Sequence, residues 1–541
     1  MSVMEISKAA QTISLTAYLE ASAERFPQRT AIVDPDGGLL SYQDLNERAA
    51  RVANFLKERG IAAGDRVGLL LPKSSVTLTA IFGILKARAA YVPVDYSAPG
   101  ARVASIFKDC EVRAIFTDSA GLGLLEKEYG SSLPETVVIC GGGTASVNGS
   151  VFSWDAVLGH PPLRETSVAT PQDLAYILYT SGSTGLPKGV MLSQENATSF
   201  VDWCSSVFSP TEHDRFSSHA PFHFDLSILD IYLSIKHGAS LHIVSEELGK
   251  NPRELAQFIA DRRLTIWYST PSILALLAQF GNLSALDCSS LRMVFFAGEV
   301  FPVRHLKALT GLWPHPRYFN LYGPTETNVC TFAEVPSSIP EDRTEPYPIG
   351  PACSHCAPLV LDPEKVVVRA GEEGLLYISG PSVFQGYWNR PKENAAAFLE
   401  RNGTRWYCTG DVVREESQEG FIYVGRRDRM VKRRGYRIEL DDIECALYRH
   451  PGIREAGVVA SLAGGEHTKI VAYLVAGSEP KPGVIAMKMF CSQNLPAYMN
   501  PDSFVFVEAL PRTSTNKIDY RSLLASVTEL ALSQGQVNGQ K

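Results

Sequence analysis

The chain has 541 residues, of which 45% are hydrophobic and 20% charged. That length and balance imply several domains or sub-domains with buried cores and exclude a collagen, a coiled coil or a long disordered polymer. The 51 Lys and Arg against 58 Asp and Glu leave a net charge of −7, which argues against a broad basic surface for nucleic acid or acidic lipid but leaves room for a local phosphate cleft.

The N-terminal residues 1–24 carry early acidic groups and no apolar core of signal-peptide length. No window offers a transmembrane stretch of uncharged apolar residues. A cytoplasmic protein with no membrane and no nucleic-acid partner is therefore expected. The ten Cys are scattered. The close pair Cys353 and Cys356 lacks the second pair or spaced His of a zinc site, and reads as two reduced thiols.

Short apolar runs alternate with helical stretches along most of the chain, at 66–71, 175–180, 240–244, 293–297 and 375–379. This is the α/β pattern, with strands buried under helices. A strand is expected at 420–425. It runs into 426–435, a charged stretch with little apolar content, and this change of composition marks a domain boundary. A helix follows, with Asp441 and Asp442 in its first turn, Leu440, Ile443 and Leu447 on one face, and Pro451-Gly452 as its stop. Strands are expected at 457–460 and 470–476. The predicted division is 1–427 for an N-terminal core domain and 428–541 for a small C-terminal domain hinged near Asp428.

Three segments carry chemistry. In Tyr179-Thr180-Ser181-Gly182-Ser183-Thr184-Gly185-Leu186-Pro187-Lys188-Gly189 the glycines let backbone N–H groups approach an anion. The hydroxyls donate to phosphate oxygens and Lys188 adds a point charge. The composition is phosphate-cradling, although the spacing is not that of a Walker A loop; a flexible surface loop is the alternative. In Asn320-Leu321-Tyr322-Gly323-Pro324-Thr325-Glu326-Thr327 a Gly-Pro turn precedes hard oxygen donors suited to Mg²⁺; a turn followed by a helix cap fits equally well. In Trp406-Tyr407-Cys408-Thr409-Gly410-Asp411 a carboxylate after a turn could accept both hydroxyls of a ribose, or be an ordinary turn Asp.

Together, and in order, these segments resemble the adenylate-forming superfamily of acyl-CoA ligases, luciferases and nonribosomal peptide synthetase adenylation domains. Residues 40–45, 86–95, 374–388, 425–439 and 510–517 add matching stretches over nearly the whole chain. Met430 departs from the family, where many members carry Gln. The resemblance implies a large N-terminal domain of stacked αβ layers with a β-barrel-like subdomain, a small mobile α+β C-terminal domain, and an ATP site. Thr180, Ser181, Gly182, Ser183, Thr184, Gly185 and Lys188 would surround the β,γ-phosphates. Tyr322 would stack on adenine beside Gly298 and Glu299, with Asn320 bonding the base and Gly323 and Thr325 completing the set. Glu326 would bind Mg²⁺, and Asp411 and Arg426 would hold the ribose. Lys517 would reach both the substrate carboxylate and the ribose-phosphate oxygen. Catalysis then rests on Lys517, Glu326 and Thr180, because joining a carboxylate to a phosphate requires charge neutralisation and in-line positioning. The carboxylate is already ionised, so no general base is needed. His223 reads as a packed ring.

The segment Phe222-His223-Phe224-Asp225-Leu226-Ser227 bears on the substrate. In the amino-acid-activating branch an Asp at the position of Asp225 pairs with the substrate ammonium, and an unpaired carboxylate in an apolar pocket is costly enough to select for an amine. Its alternative role is a helix N-cap. The resemblance carries over Leu226, Leu229, Tyr268, Phe295, Ala297, Leu321, Val329 and Cys330 as further pocket positions. With Asp225 and Lys517, this set resembles the signature of stand-alone L-proline adenylation enzymes of pyrrole and related alkaloid pathways, except that those usually carry Leu at the position of Phe295. A small aliphatic cavity with a carboxylate at one end and a Lys at the other suits a five-membered ring bearing a secondary ammonium.

Residues after Lys517 are too few for a fused carrier domain, so a separate phosphopantetheinylated carrier protein is the expected acceptor. The alternatives are a D-alanine or other small-amino-acid ligase, an acyl-CoA ligase, which Asp225 disfavours, and a non-catalytic nucleotide-binding protein.

Overall fold

The computed structural model describes residues 14–130, 133–141, 151–163, 169–182, 187–463, 467–477, 481–512 and 518–527. The chain divides into two compact units. The larger comprises Met1–Tyr96, Phe107–Tyr179 and Gly189–Gly425; the smaller comprises Arg426–Lys541 with the segments Ser97–Ile106 and Thr180–Lys188.

Two eight-stranded sheets and one five-stranded sheet build the larger unit. The first sheet runs in the order Thr331–Val335, Arg317–Tyr322, Met293–Ala297, Ile266–Ser269, Arg215–Ser218, Ser240–Ile243, Thr30–Val33, Leu39–Ser41. Its inner strands are parallel and its two edge pairs antiparallel. The second is centred on the parallel strands Ala90–Pro93, Arg66–Leu70 and Ala114–Thr117. The apolar runs expected at 66–71, 175–180, 240–244, 293–297 and 375–379 are all strands.

Helices Tyr42–Glu58, Ser75–Lys86 and Gln194–Phe208 share one apolar core with residues of both eight-stranded sheets. The helix Ser75–Lys86 is mostly apolar and buried on several sides, from Thr77 through Lys86. Its Gly83 permits the close crossing with Tyr42–Glu58, since a Cβ there would lie 2.4 Å from Val52 Cγ1. A second core covers the opposite face of the first sheet with helices Pro252–Asp261, Pro271–Phe280 and Val303–Leu312. Pro at the first position and Asn251 as N-cap start the first of these helices. The five-stranded sheet is antiparallel and forms the β-rich subdomain.

In the smaller unit, helix Leu440–Leu447 packs on the three-stranded sheet Ile453–Ala463, His467–Ala476, Ser503–Phe506. The charged stretch after Gly425, which gave no strand signal, contains the hairpin Met430–Arg433 and Tyr436–Glu439. Arg434 and Gly435 close it with φ of 52° and 81°, the positive pair that a two-residue hairpin turn requires. Its side chains are largely polar, so turn geometry and strand pairing mark it where hydrophobic alternation does not. No described helix is long and apolar enough to cross a membrane.

Candidate active site

Side-chain alternation along three neighbouring strands sorts the residues singled out for the substrate pocket. Tyr268, Phe295, Ala297 and Leu321 belong to the core shared with the helices, whereas Trp267, Val294 and Phe296 belong to the core on the other face. Register places Tyr268 beside Phe295 and Phe295 beside Phe319, with Ala297 beside Leu321 one step further along. Leu226, Leu229 and Val329 lie in the same core. Cys330 is fully buried in a neighbouring cluster with Tyr322, Ile349 and Val413.

Phe295 is fully buried. Its ring centroid lies 4.6 Å from Phe208, 5.5 Å from Phe319 and 6.1 Å from Tyr268, the last pair nearly perpendicular. Phe208 and Phe319 escaped the sequence reading, because an aromatic at a helix end or within a buried strand looks like any core residue.

Asp225 opens the short helical segment Leu226–Ile228, yet its side chain makes no capping hydrogen bond. Its N-cap reading is thereby set aside. Burial, then Asp225, then Asp230 hold the Tyr268 hydroxyl well above the usual phenol range. Immediately beyond, Leu229–Leu233 forms a π-turn, a wide helical turn that is frequent at functional sites. His223 has its pKa lowered by burial, with Lys73 adding to that effect and Asp95 and Glu246 opposing it.

The residues singled out for adenosine, apart from Arg426, also fall in the larger unit. Tyr322 ends the strand Arg317–Tyr322 and donates its hydroxyl to Asp411 Oδ2. Asp411 is 1% exposed, and its backbone N–H donates to Thr409 Oγ1 at 3.1 Å. Burial first, then the Asp411 charge, raise the Tyr322 pKa, so the phenol stays a donor. Asn320 Nδ2 donates to the Pro348 carbonyl at 2.9 Å. Glu299 Oε2 accepts the Ser272 backbone N–H at 3.1 Å. Gly298 adopts φ +92°. The turn beginning at Gly323 is closed so tightly that a Cβ there would lie 1.6 Å from the Asn328 carbonyl oxygen. Thr325 is partly exposed, while Glu326 is fully buried and its Oε1 accepts the Tyr387 hydroxyl at 2.7 Å. A carboxylate is the donor class Mg²⁺ takes, and a tyrosine donor on one oxygen would orient the other.

In the smaller unit, Thr180 Oγ1 is buried and takes no hydrogen bond among the described residues, an uncommon condition for a buried polar group. Ser181 Oγ donates to the Arg437 carbonyl at 2.8 Å and accepts the Glu439 N–H at 3.1 Å. Gly182 is buried and Lys188 partly exposed. Arg426 pairs with Asp428 through two bonds of 2.7 and 2.6 Å. Ser183, Thr184, Gly185 and Lys517 lie outside the described residues. All ten cysteines are thiols.

The family model for AMP-binding enzymes matches residues 19–388, and that for the AMP-binding enzyme C-terminal domain matches residues 442–517. The chain therefore belongs to the AMP-binding enzyme family, and as an adenylate-forming ligase it uses ATP. It is 38% identical over 507 residues to an L-proline–[L-prolyl-carrier protein] ligase of Pseudomonas fluorescens, covering 94% of this chain and 98% of that one. It is also 38% identical over 523 residues to a ligase of the same name from Streptomyces coelicolor, covering 95% and 97%. The fold is that of the Vibrio cholerae adenylation domain AlmE in complex with glycyl-adenosine-5′-phosphate, with a TM-score of 0.81, 23% identity, and 95% and 98% of the two chains covered.

Proposed function

We propose that this chain is an L-proline–carrier protein ligase. It activates L-proline with ATP to prolyl-AMP, releasing pyrophosphate, and passes the prolyl group to the phosphopantetheine thiol of a separate carrier protein in the cytoplasm. The observation that carries this reading is the non-capping Asp225 beside a set of buried apolar side chains, namely Leu226, Leu229, Tyr268, Phe295, Ala297, Leu321 and Val329. A secondary ammonium next to Asp225 would be matched by the opposite charge of its carboxylate, and the apolar wall suits the three methylenes of the proline ring.

In the first step a carboxylate oxygen of proline attacks the α-phosphorus, and the bond from that phosphorus to the pyrophosphate oxygen breaks. In the second the thiol sulfur attacks the acyl carbon, AMP leaves, and the thiol proton passes to solvent. Asp411, oriented by Tyr322, serves the ribose with Arg426. Asn320, Tyr322, Gly298, Glu299, Gly323 and Thr325 serve the base, and Thr180 with the glycine-rich loop serves the phosphates. Glu326 would hold Mg²⁺, which when bound offsets phosphate charge. Lys517 bridges the two reacting anions.

ATP–pyrophosphate exchange with L-proline, D-proline, pipecolate, D- and L-alanine and benzoate tests the reading. L-Proline should dominate. A dominant D-alanine signal would replace it with a small-amino-acid ligase, and a dominant benzoate signal with free CoA as acceptor would make the chain an acyl-CoA ligase.

A further inference from the structure

Lys73 lies between the strand Arg66–Leu70 and the helix Ser75–Lys86, outside every residue assigned above to nucleotide or proline. Its ammonium donates to the carbonyls of Ser218 and His219, the latter at 3.1 Å, and lies 5.6 Å from the centre of the Phe222 ring. Ser218 ends the strand Arg215–Ser218, and the chain then runs directly through 219–224 to Asp225. One side chain thus fixes the point from which the Asp225 segment departs.

The counter-charge lies on the wide turn that follows. Asp230 is 1% exposed, and neither of its carboxylate oxygens takes a hydrogen bond among the described residues. A buried carboxylate in that condition stays ionised only beside an opposite charge and otherwise takes up a proton. Burial raises its pKa well above the usual carboxylate range, and Lys73 is the group that opposes this shift. Burial brings Lys73 down to about 7, against the pull of Asp230 and Glu246. The neighbouring His219 ring is pushed down to about 3 by burial and by Lys73. Asp230 also bears on Tyr268, the pocket wall that feels Asp225.

We propose that Lys73 is a positioning residue for amine recognition: it anchors the end of the strand Arg215–Ser218 and thereby the path of 219–225 that presents Asp225, with Asp230 as its buried counter-charge. The proposal rests on the reading of Asp225 as the partner of the substrate ammonium. A purely structural contact with no such role would alter stability or all kinetic constants together; a positioning role alters the constant for the amino acid alone.

The experiment is steady-state ATP–pyrophosphate exchange on the full chain with Lys73→Met, Lys73→Arg, Asp230→Asn and Asp225→Ala, each checked by thermal melting. Lys73→Met should raise KM for L-proline by at least about tenfold, the size expected for losing charge-assisted hydrogen bonds. KM for ATP should change by less than about twofold. Lys73→Arg, which keeps the charge and the donors, should recover most of the loss, and Asp230→Asn should raise KM for proline in the same selective way. Equal changes in both KM values, or none in Lys73→Met while Asp225→Ala raises KM for proline, overturn the positioning role. Should Lys73→Met fail to fold, a selective KM rise in Asp230→Asn supports the role and its absence overturns it. An Asp225→Ala variant with unchanged KM for proline overturns instead the reading on which the proposal rests.

Discussion

In the pocket, Phe295 is 0% and Leu321 1% exposed, and each is held by neighbours on parallel strands and by helices above them. In the segment Arg426–Glu439 the contacts are of another kind. Arg426 holds Asp428 in a two-bond ion pair, the Asp428 side chain is 46% exposed, and the hairpin beyond it is short and mostly polar. Close apolar packing resists any change of shape, because a lost methylene leaves a void that neighbours fill only partly. Partly exposed ion pairs contribute little and exchange partners readily. A wall that must tell one ring from another needs the first construction. The proposed hinge at Asp428 would need the second.

The contrast is most severely tested by Phe295→Ala. Removing a ring packed on Phe208, Phe319 and Tyr268 should lower unfolding free energy by about 3–5 kcal/mol in a denaturant titration, and should raise exchange with pipecolate relative to proline. Unchanged stability would show that the wall is not built as described. Asp225→Ala comes next. It should leave the melt near wild type while kcat/KM for proline falls by about 1.5–3 kcal/mol, or roughly tenfold to a hundredfold.

The smallest effect belongs to Asp428→Asn, at most about 1 kcal/mol of stability. Burial alone would raise the Asp428 pKa, but the Arg426 bonds and charge take it below the ordinary carboxylate value. Its contribution is therefore full above that ordinary value and fades as pH falls through the lowered one. Variant and wild type should melt alike at still lower pH. Exchange should survive this substitution while carrier loading slows; a loss as large as that of Phe295→Ala would abolish the distinction between wall and joint.

Much of this was legible in the residues. Buried parallel strands such as Met293–Ala297 announce themselves as short apolar runs, and the loop from Thr180 to Lys188 and the Tyr322–Glu326 turn carry unusual composition. Strand alternation puts Tyr268, Phe295, Ala297 and Leu321 on one face. What stayed hidden lacks a local signal. Lys73 and Asp230 are single charges in unrelated segments, related only once the chain folds. Phe208 is a helix-end aromatic like many others. The hairpin Met430–Arg433 and Tyr436–Glu439 alternates few apolar residues, so its only mark is the Arg434-Gly435 turn.

The π-turn Leu229–Leu233 has a consequence for how such a pocket can diverge. A π-turn holds one residue more than an α-helical turn. Deleting a single residue there lets the backbone relax toward an ordinary helix while swinging the preceding side chains by about 100° relative to those that follow, one α-helical step. Leu226, Leu229 and Asp230 would all change direction in one event. Libraries that vary length at 229–233 therefore reach pocket shapes that libraries varying only side chains cannot, and lineages that gained or lost this residue need share no intermediate substitution.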